Sequence, residues 1–585
     1  MPSSAPHFSG ETTLIEFTSS PAAIVTLGMQ LPNLLSSPMA AAMLHKPLRV
    51  VLATEPDLSD EDRDRIIASI EGFGPDEGAE SSRPAPSPAI YRNDYETDDV
   101  PRGSAATTAV SFVEVWGRFE IEFSGPSHGN PYLDVELIGT FRRGHHSAEA
   151  LGFYDGDGRF LLRFMPPTPG EWTFETRSNA RSLDGIVGSF TVGESLRRGP
   201  VRVADRFHFR YADGSQYLAV GTTAYAWTHQ PEELQQETLR TLAESPFTKV
   251  RMCVFPKSYV YNHNDPDSFP FASDDEGIDF SRFDPAYWSH LEKRIDDLAA
   301  LGIEADLILF HSYDRWGFSA LDAEIDDRYV RYVAARLSSF ANVWWSLANE
   351  YDFVLAKSAD DWRRWAGILR RWDPSDHLIS IHNGLRFYDY SESWATHASV
   401  QRTDNYKSTE LVTEWRAQWG KPVVVDEAVY EGDIDLGWGN ITGEELTRRF
   451  WEAFIRGGYA THGETYYQDD EVLFWAKGGV LRGTSPARIG FLAKLVQESP
   501  RGFWEPLTQD FDAQSAGIEG EYLITYYGLS QPRFRHFVHD PAFTWRADVI
   551  DTWNMTVETL PGTYSGRFTI NLPGRPYMAI RLRRA

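Results

Sequence analysis

The sequence predicts an α/β fold: a (β/α)8 barrel flanked by an N-terminal and a small C-terminal β-sandwich. Three observations lead there. Between residues 200 and 502, short apolar runs alternate eight times with amphipathic helical stretches, the pattern of parallel strands under covering helices. On either side the hydrophobic period drops to two, as half-buried antiparallel strands require. Two of the apolar runs also stop abruptly in polar and acidic residues: Val343–Ala348 runs into Asn349, Glu350 and Asp352, and Val423–Val425 into Asp426 and Glu427. Barrels of this kind keep their chemistry at the carboxyl ends of their strands.

A chain of 585 residues is too long for one core. Its composition divides it into an extension and linker (1–106), an N-terminal β-sandwich (107–199), the barrel (200–502) and a C-terminal β-sandwich (503–585). A formal charge of −28 excludes a nucleic-acid binder, whose phosphates need a basic face, and disfavours an anionic membrane surface. The one cysteine, Cys253, allows no internal disulfide and fits a reducing compartment. Met1–Gly10 has neither a basic start nor an apolar core, and Ala22–Met43 is interrupted by Pro32 and Pro38. The expectation is therefore a cytoplasmic protein without a signal peptide or membrane span.

In chain order, Pro47–Thr54 reads as a strand and Leu58–Ile67 as a helix with Ser59 as its N-cap. Gly72–Pro88, rich in Gly, Ser, Pro and acids, reads as a linker. In the first sandwich, Phe119, Ile121 and Phe123 alternate with Glu120 and Glu122. Asp155–Gly158 resembles the start of a calcium loop, but Arg159 stands at the fifth position and no glutamate closes it, so a hairpin turn is expected.

Barrel strands are expected at 217–223, 248–255, 304–310, 343–348, 377–381, 396–400, 422–426 and 458–462. Helices such as 287–301, 327–339, 360–371 and 443–456 lie between them, with Gly302 and Gly420 as C-cap glycines. Tyr522–Tyr527, Val549–Val557 and Arg567–Leu572 supply strands of the last unit.

Breaking a glycosidic bond takes a proton for the leaving oxygen and a negative group at the anomeric carbon, and two carboxyls whose pKa values are pushed apart supply both. Glu350 ends the fourth strand and Glu427 the seventh, facing each other across a closed mouth. Asn349, just before Glu350, is placed to hold a sugar hydroxyl.

These residues resemble the clan A retaining glycoside hydrolases. Val115–Phe119, Gly152–Gly156, Arg163–Pro166 and Gly170–Trp172 look like a sandwich domain of unknown function that accompanies apiosidase-like barrels. His311–Gly317, Trp345–Asp352, Trp438–Glu444 and His462–Tyr466 resemble that barrel group itself, and the C-terminal unit resembles a domain found with it. The resemblance covers about 107 to 585. It implies Glu350 as acid/base and Glu427 as nucleophile, and leaves the sugar open.

Other residues divide between site and scaffold. Alternation along the strand points Asp426 away from Glu427, toward a structural role. Arg251 in the second strand either orients Glu427 from the mouth or forms a salt bridge lower in the barrel. His311, His382 and His462 are candidates to hydrogen-bond sugar hydroxyls, as is Glu464 after the eighth strand. Trp316 and Trp475, with Trp227 and Trp438, are candidate stacking platforms or core residues. Asp314 and Asp352 are expected to support the site.

Histidines at strand ends (His311, His382, His397 and His462) also raise a metal-dependent barrel hydrolase, although Gly221–Tyr225 on the first strand lacks the His-x-His pair typical of such sites. Retention of both glutamates counts against a non-catalytic carbohydrate-binding barrel. The reading is thus a cofactor-free, metal-free O-glycosyl hydrolase acting on a small carbohydrate or glycoside, with a homo-oligomer compatible. Aromatic residues in the long loop 256–283 (Tyr259, Tyr261, Phe269, Phe271) suggest an exo-acting pocket.

Overall fold

The computed structural model describes residues 91–402, 407–507 and 513–585, with stretches of the first 90, chiefly 7–17, 46–54 and 58–71. At its centre is an eight-stranded parallel sheet: β1 (Val220–Thr223), β2 (Lys249–Cys253), β3 (Glu304–Phe310), β4 (Val343–Ala348), β5 (Ile379–Ser380), β6 (Ala398–Gln401), β7 (Val423–Glu427) and β8 (Tyr459–His462). The paired order runs β5-β4-β3-β2-β1-β8-β7-β6. The sheet therefore curls until β5 and β6 come side by side.

The ring is only partly closed. Among the described residues, the main chain spans that seam through one isolated bridge, His382–Ser399, and through Thr396 N–H, which donates to Ile379 O at 2.8 Å. Side chains make up the difference: Thr396 Oγ1 accepts from Ile379 N at 3.0 Å, and Ser380 Oγ donates to His397 O at 2.6 Å. Asn383 grips Gln401 twice, accepting from its N–H at 3.0 Å and donating to its carbonyl at 3.2 Å.

The helix Ala359–Trp372 shows how sequence makes the outer layer. Ser358 and Asp361 form a capping box at its start, and Trp362, Trp365, Ala366 and Leu369 form one buried stripe at helical spacing. Trp365 stacks on Phe310 of β3 with centroids 4.4 Å apart, and Arg364, Arg370 and Arg371 keep partly exposed heads on the other faces.

The N-terminal flank is a single eight-stranded ladder rather than two separately paired sheets. The strand His146–Tyr154 pairs with Leu137–Arg143 through residues 146–151 and with Arg159–Phe164 through residues 152–154. Gly152 sits at that change of partner, where a Cβ would lie 2.5 Å from Leu137. The ladder folds over itself so that Phe119 stacks on Phe190 at 3.7 Å. Asp155–Gly158 is the expected hairpin turn, and Asp155 is spent on Arg336 at 2.6 Å. Arg163 and Arg336 both pair with Glu292, at 2.8 and 2.6 Å, tying this flank to the barrel helices.

The C-terminal flank is a six-stranded sheet with a two-stranded partner. Its Tyr526 stacks on Trp451 of the helix Gly443–Ile455 at 5.0 Å.

Two local expectations are corrected. Leu48–Ala53 is a helix, because Leu48, Val51 and Leu52 bury one face at helical spacing, a pattern a short apolar run does not distinguish from a strand. Val549–Val557 is two antiparallel strands, Trp545–Asp551 and Thr556–Thr559, separated by a turn where Met555 takes φ 56°. Ser59 caps its helix as expected, in a box with Asp62. Most of the linker 72–88 lies outside the described residues.

Candidate active site

The interior of the barrel is charged below and aromatic above. Alternation along β2 turns Lys249, Arg251 and Cys253 inward at successive levels. Lys249 Nζ contacts Asp306 on β3 at 2.6 Å and Asp426 on β7 at 2.7 Å. One level up, Arg251 Nη1 lies 3.3 Å from Asp426 and 3.6 Å from Asp306. Ser399 and Thr461 donate to the same Asp426, at 2.5 and 2.6 Å. Burial alone would raise the Asp426 carboxyl, but Lys249 and Arg251 hold it far below the usual carboxylate range. Asp426 is thus a structural residue, as expected, but it faces the interior as Glu427 does, so the alternation expected to turn it away does not hold here.

Arg251 is fully buried and passes its orientation upward. Nη2 donates to Asn349 Oδ1 at 2.9 Å, and Asn349 Nδ2 donates to Glu350 Oε2 at 3.2 Å. It forms the lower salt bridges and steadies Asn349; it makes no hydrogen bond to Glu427.

Glu350 leaves β4 in the left-handed region, φ 51° and ψ 58°, a backbone that costs a non-glycine residue on the order of 1 kcal/mol or more. Glu350 is buried, 6% exposed. The Tyr313 hydroxyl donates to Oε2, and Gln401 Nε2 donates to Oε1 at 3.1 Å. Burial, then the charge of Glu427, pushes its pKa up to about 8.

Glu427, at the end of β7, is partly exposed and accepts from the Tyr225 hydroxyl, which also lies 3.1 Å from Asn349 Oδ1. A register shift between Val400 and Gln401 opposite β7 lets successive residues Asp426 and Glu427 both serve the interior. Burial raises the Glu427 carboxyl, and Arg251 opposes that rise. The two glutamates are therefore joined through Asn349 and Tyr225 and face different surroundings. One is enclosed by neutral donors; the other lies within the field of a guanidinium.

Beside the pair, Lys257 is 5% exposed with its ammonium among aromatic rings. The ring centroids lie at 3.7 Å for Tyr225, 4.3 Å for Tyr313, 5.0 Å for Trp475 and 5.6 Å for Tyr259. Trp475 packs on Trp438 at 4.9 Å, so both belong to this wall.

The remaining candidates lie elsewhere or are engaged. Trp316 is an outer-loop residue that packs edge-on to Phe269 and donates to Asp265 at 2.9 Å. Glu464 is 1% exposed and accepts from the main-chain N–H groups of Arg482 and Gly483 at 2.6 and 2.8 Å; burial holds its pKa up at about 7. Trp227 is core.

His311, His382 and His462 are buried, which keeps all three rings neutral. His311 Nε2 contacts Phe255 O at 3.1 Å, and His462 Nδ1 contacts Thr222 at 2.9 Å. His397 precedes β6 at the opposite end of the barrel, against Phe209 and Trp344. Asp352 accepts from the N–H groups of Leu385 and Arg386 at 2.7 and 2.8 Å, and Asp314 caps its own loop. Among the described residues, no group of three or more His, Cys, Asp or Glu is arranged to hold a metal ion, and no helix is long and apolar enough to cross a membrane.

Tyr225, Lys257 and Gln401 were not anticipated. All three lie at or just after a strand end, Tyr225 beyond β1, Lys257 beyond β2 and Gln401 closing β6, so strand-end position was the available signal.

Comparison with known proteins then fixes the family. Residues 204–482 match the model of the apiosidase-like catalytic domain. A chain from Bacteroides vulgatus ATCC 8482, provisionally described as a glycoside hydrolase, is 38% identical; the alignment covers 81% of this chain and all of that one, with a TM-score of 0.77. The chain belongs to the glycoside hydrolases of apiosidase-like type. It is an O-glycosyl hydrolase. Its flanks match two domains of unknown function, DUF5060 over residues 112–179 and DUF5605 over 511–583. A family 5 glycoside hydrolase from the same bacterium, 16% identical, covers 66% of this apiosidase-like chain and 94% of its own with a TM-score of 0.52, a likeness of fold alone. No curated protein matches.

Proposed function

We propose that this hydrolase works with retention, with Glu350 as general acid/base and Glu427 as nucleophile. The observation that carries the reading is the unequal surroundings of two linked carboxyls. Glu350, buried among neutral donors, keeps a proton near neutral pH, as an acid that must protonate a leaving oxygen requires. Glu427, under the field of Arg251 and bonded by Tyr225, is the better placed to stay ionised and attack the anomeric carbon. In the second half of the reaction the deprotonated Glu350 takes a proton from water as that water displaces the glutamate ester.

The same proposal closes the curled sheet as a (β/α)8 barrel, reads its flanks as β-sandwiches with the boundaries set out above, and makes the enzyme exo-acting on short oligosaccharides or small glycosides. Tyr259 leans over Tyr313 at 4.5 Å and faces Trp438 and Trp475, so the loop after β2 walls one side of the mouth. Phe269 and Phe271, in the same loop, pack into the core instead. Cytoplasmic residence is proposed from the single, buried cysteine, and cell fractionation tests it. A panel of nitrophenyl glycosides, covering pyranosides and furanosides of both anomers, tests the activity. Release of nitrophenol that depends on Glu350 and Glu427 supports the assignment, and activity that survives loss of both refutes it.

A further inference from the structure

Lys257 is a buried cation whose ammonium lies among aromatic rings, with no salt bridge or hydrogen bond to an acceptor among the described residues. Its nearest neighbours are the faces of Tyr225 and Tyr313, and those two phenols donate, one to Glu427 and the other to Glu350. One cation therefore rests on both hydroxyl carriers of the glutamate pair. We propose that Lys257 is a positioning residue for the pair: seated on these two rings, its charge holds the two glutamates to one shared proton rather than two. This rests on the glutamates being the reacting pair, but it concerns their charge and not the sugar.

The charge count favours it. Below the site, Lys249 and Arg251 are matched by Asp306 and Asp426. That leaves one ionised glutamate above with Lys257 to balance it, and the pocket is neutral when the other glutamate is protonated. Without Lys257, two buried carboxyls would each gain by staying neutral.

Other groups act on the ammonium. Burial lowers its pKa, and Cys253, Glu350 and Glu427 oppose that fall while Arg251 adds to it. The nearby His311 and His382 rings are neutral, so they contribute no opposing charge. Tyr259 and Tyr225 hold their protons, burial being the first cause for each. The negative faces of the Tyr225 and Tyr313 rings attract the ammonium, which offsets part of the burial.

The experiment is carboxyl carbon-13 NMR of glutamate-labelled full-length protein without ligand, with Glu350→Gln and Glu427→Gln assigning the two signals. In Lys257→Met both titration midpoints should rise by about one pH unit, a tenfold change in proton affinity. Lys257→Arg should return them toward wild type. A folded Lys257→Met protein with unmoved midpoints overturns the proposal.

Because linkage is reciprocal, a second measurement does not depend on that variant folding. The Lys257 side-chain signal in Glu427→Gln must titrate at lower pH than in wild type, and an unchanged midpoint is equally fatal. Neither measurement uses turnover. A protein that cleaves no glycoside would defeat the proposed function while leaving this test intact.

Discussion

Arg251 fixes which way Asn349 faces. A guanidinium only donates, so the contact at 2.9 Å from Nη2 makes its partner atom the amide oxygen and turns the amide nitrogen toward Glu350. Glu350 is thereby tied to a charged network two strands away.

That tie predicts a split effect for Asn349→Ala. Glu350 loses a donor and the substrate loses a hydroxyl partner, so kcat/KM should fall by ten- to a hundredfold, about 1.4–2.7 kcal/mol of transition-state binding. Thermal stability should change little beside that. Steady-state kinetics and a melting curve on one preparation check both halves; unchanged kcat/KM would remove Asn349 from the site.

Glu427→Gln should lower turnover by at least about a thousandfold on every substrate, since no covalent intermediate forms. Glu350→Gln should cost about 10² to 10⁴ on poor leaving groups and far less on activated aryl glycosides. Added azide should then partly restore its rate. Equal losses in both variants, without azide rescue, would contradict the separate roles.

With Glu427 as nucleophile, the anomeric carbon is inverted once by the glutamate and once by water. The first product seen by proton NMR should therefore keep the anomeric configuration of the substrate. Early appearance of the opposite anomer would show that water attacks directly and that Glu427 is a base.

The pH profile follows from Glu350, whose pKa is raised to about 8. An acid works only while protonated, so kcat/KM should hold up to neutral pH and fall as pH rises through about 8. In Glu350→Gln, assayed on activated substrates, the alkaline fall should vanish.

Asp426→Asn should destabilise the fold by about 3–5 kcal/mol, because two buried cations lose their counter-charge. The carboxyl is held far below its ordinary pKa. Its contribution is then complete above the unfolded value of about 4 and is lost progressively below it. Urea titrations at pH 7 and pH 3 should show wild type and variant converging in acid.

Much of this was legible in sequence because barrel strands are buried on both faces and read as plain apolar runs. All eight were anticipated, and Glu350 and Glu427 stood out as charges where such a run stops. What stayed hidden depends on contacts distant in sequence. Glu464 looks like a second strand-end acid, yet it is consumed by the amides of Arg482 and Gly483. Trp316 lies in a loop at the mouth, yet its ring is spent on Phe269 and its N–H on Asp265. Gln401 meets Glu350 at the point where the pairing of β6 with β7 skips a residue, Val400 facing Val425 and Gln401 facing Glu427.

The join between β5 and β6 carries its own consequence. Elsewhere the strands are held by repeated peptide pairings that no single substitution removes; at this join Asn383 stands in for a peptide, clasping Gln401 by N–H and carbonyl alike. Gln401 in turn reaches Glu350. The weakest stave of the cask thus stands next to its tap, and a mutation at position 383 would loosen the hoop and Glu350 together.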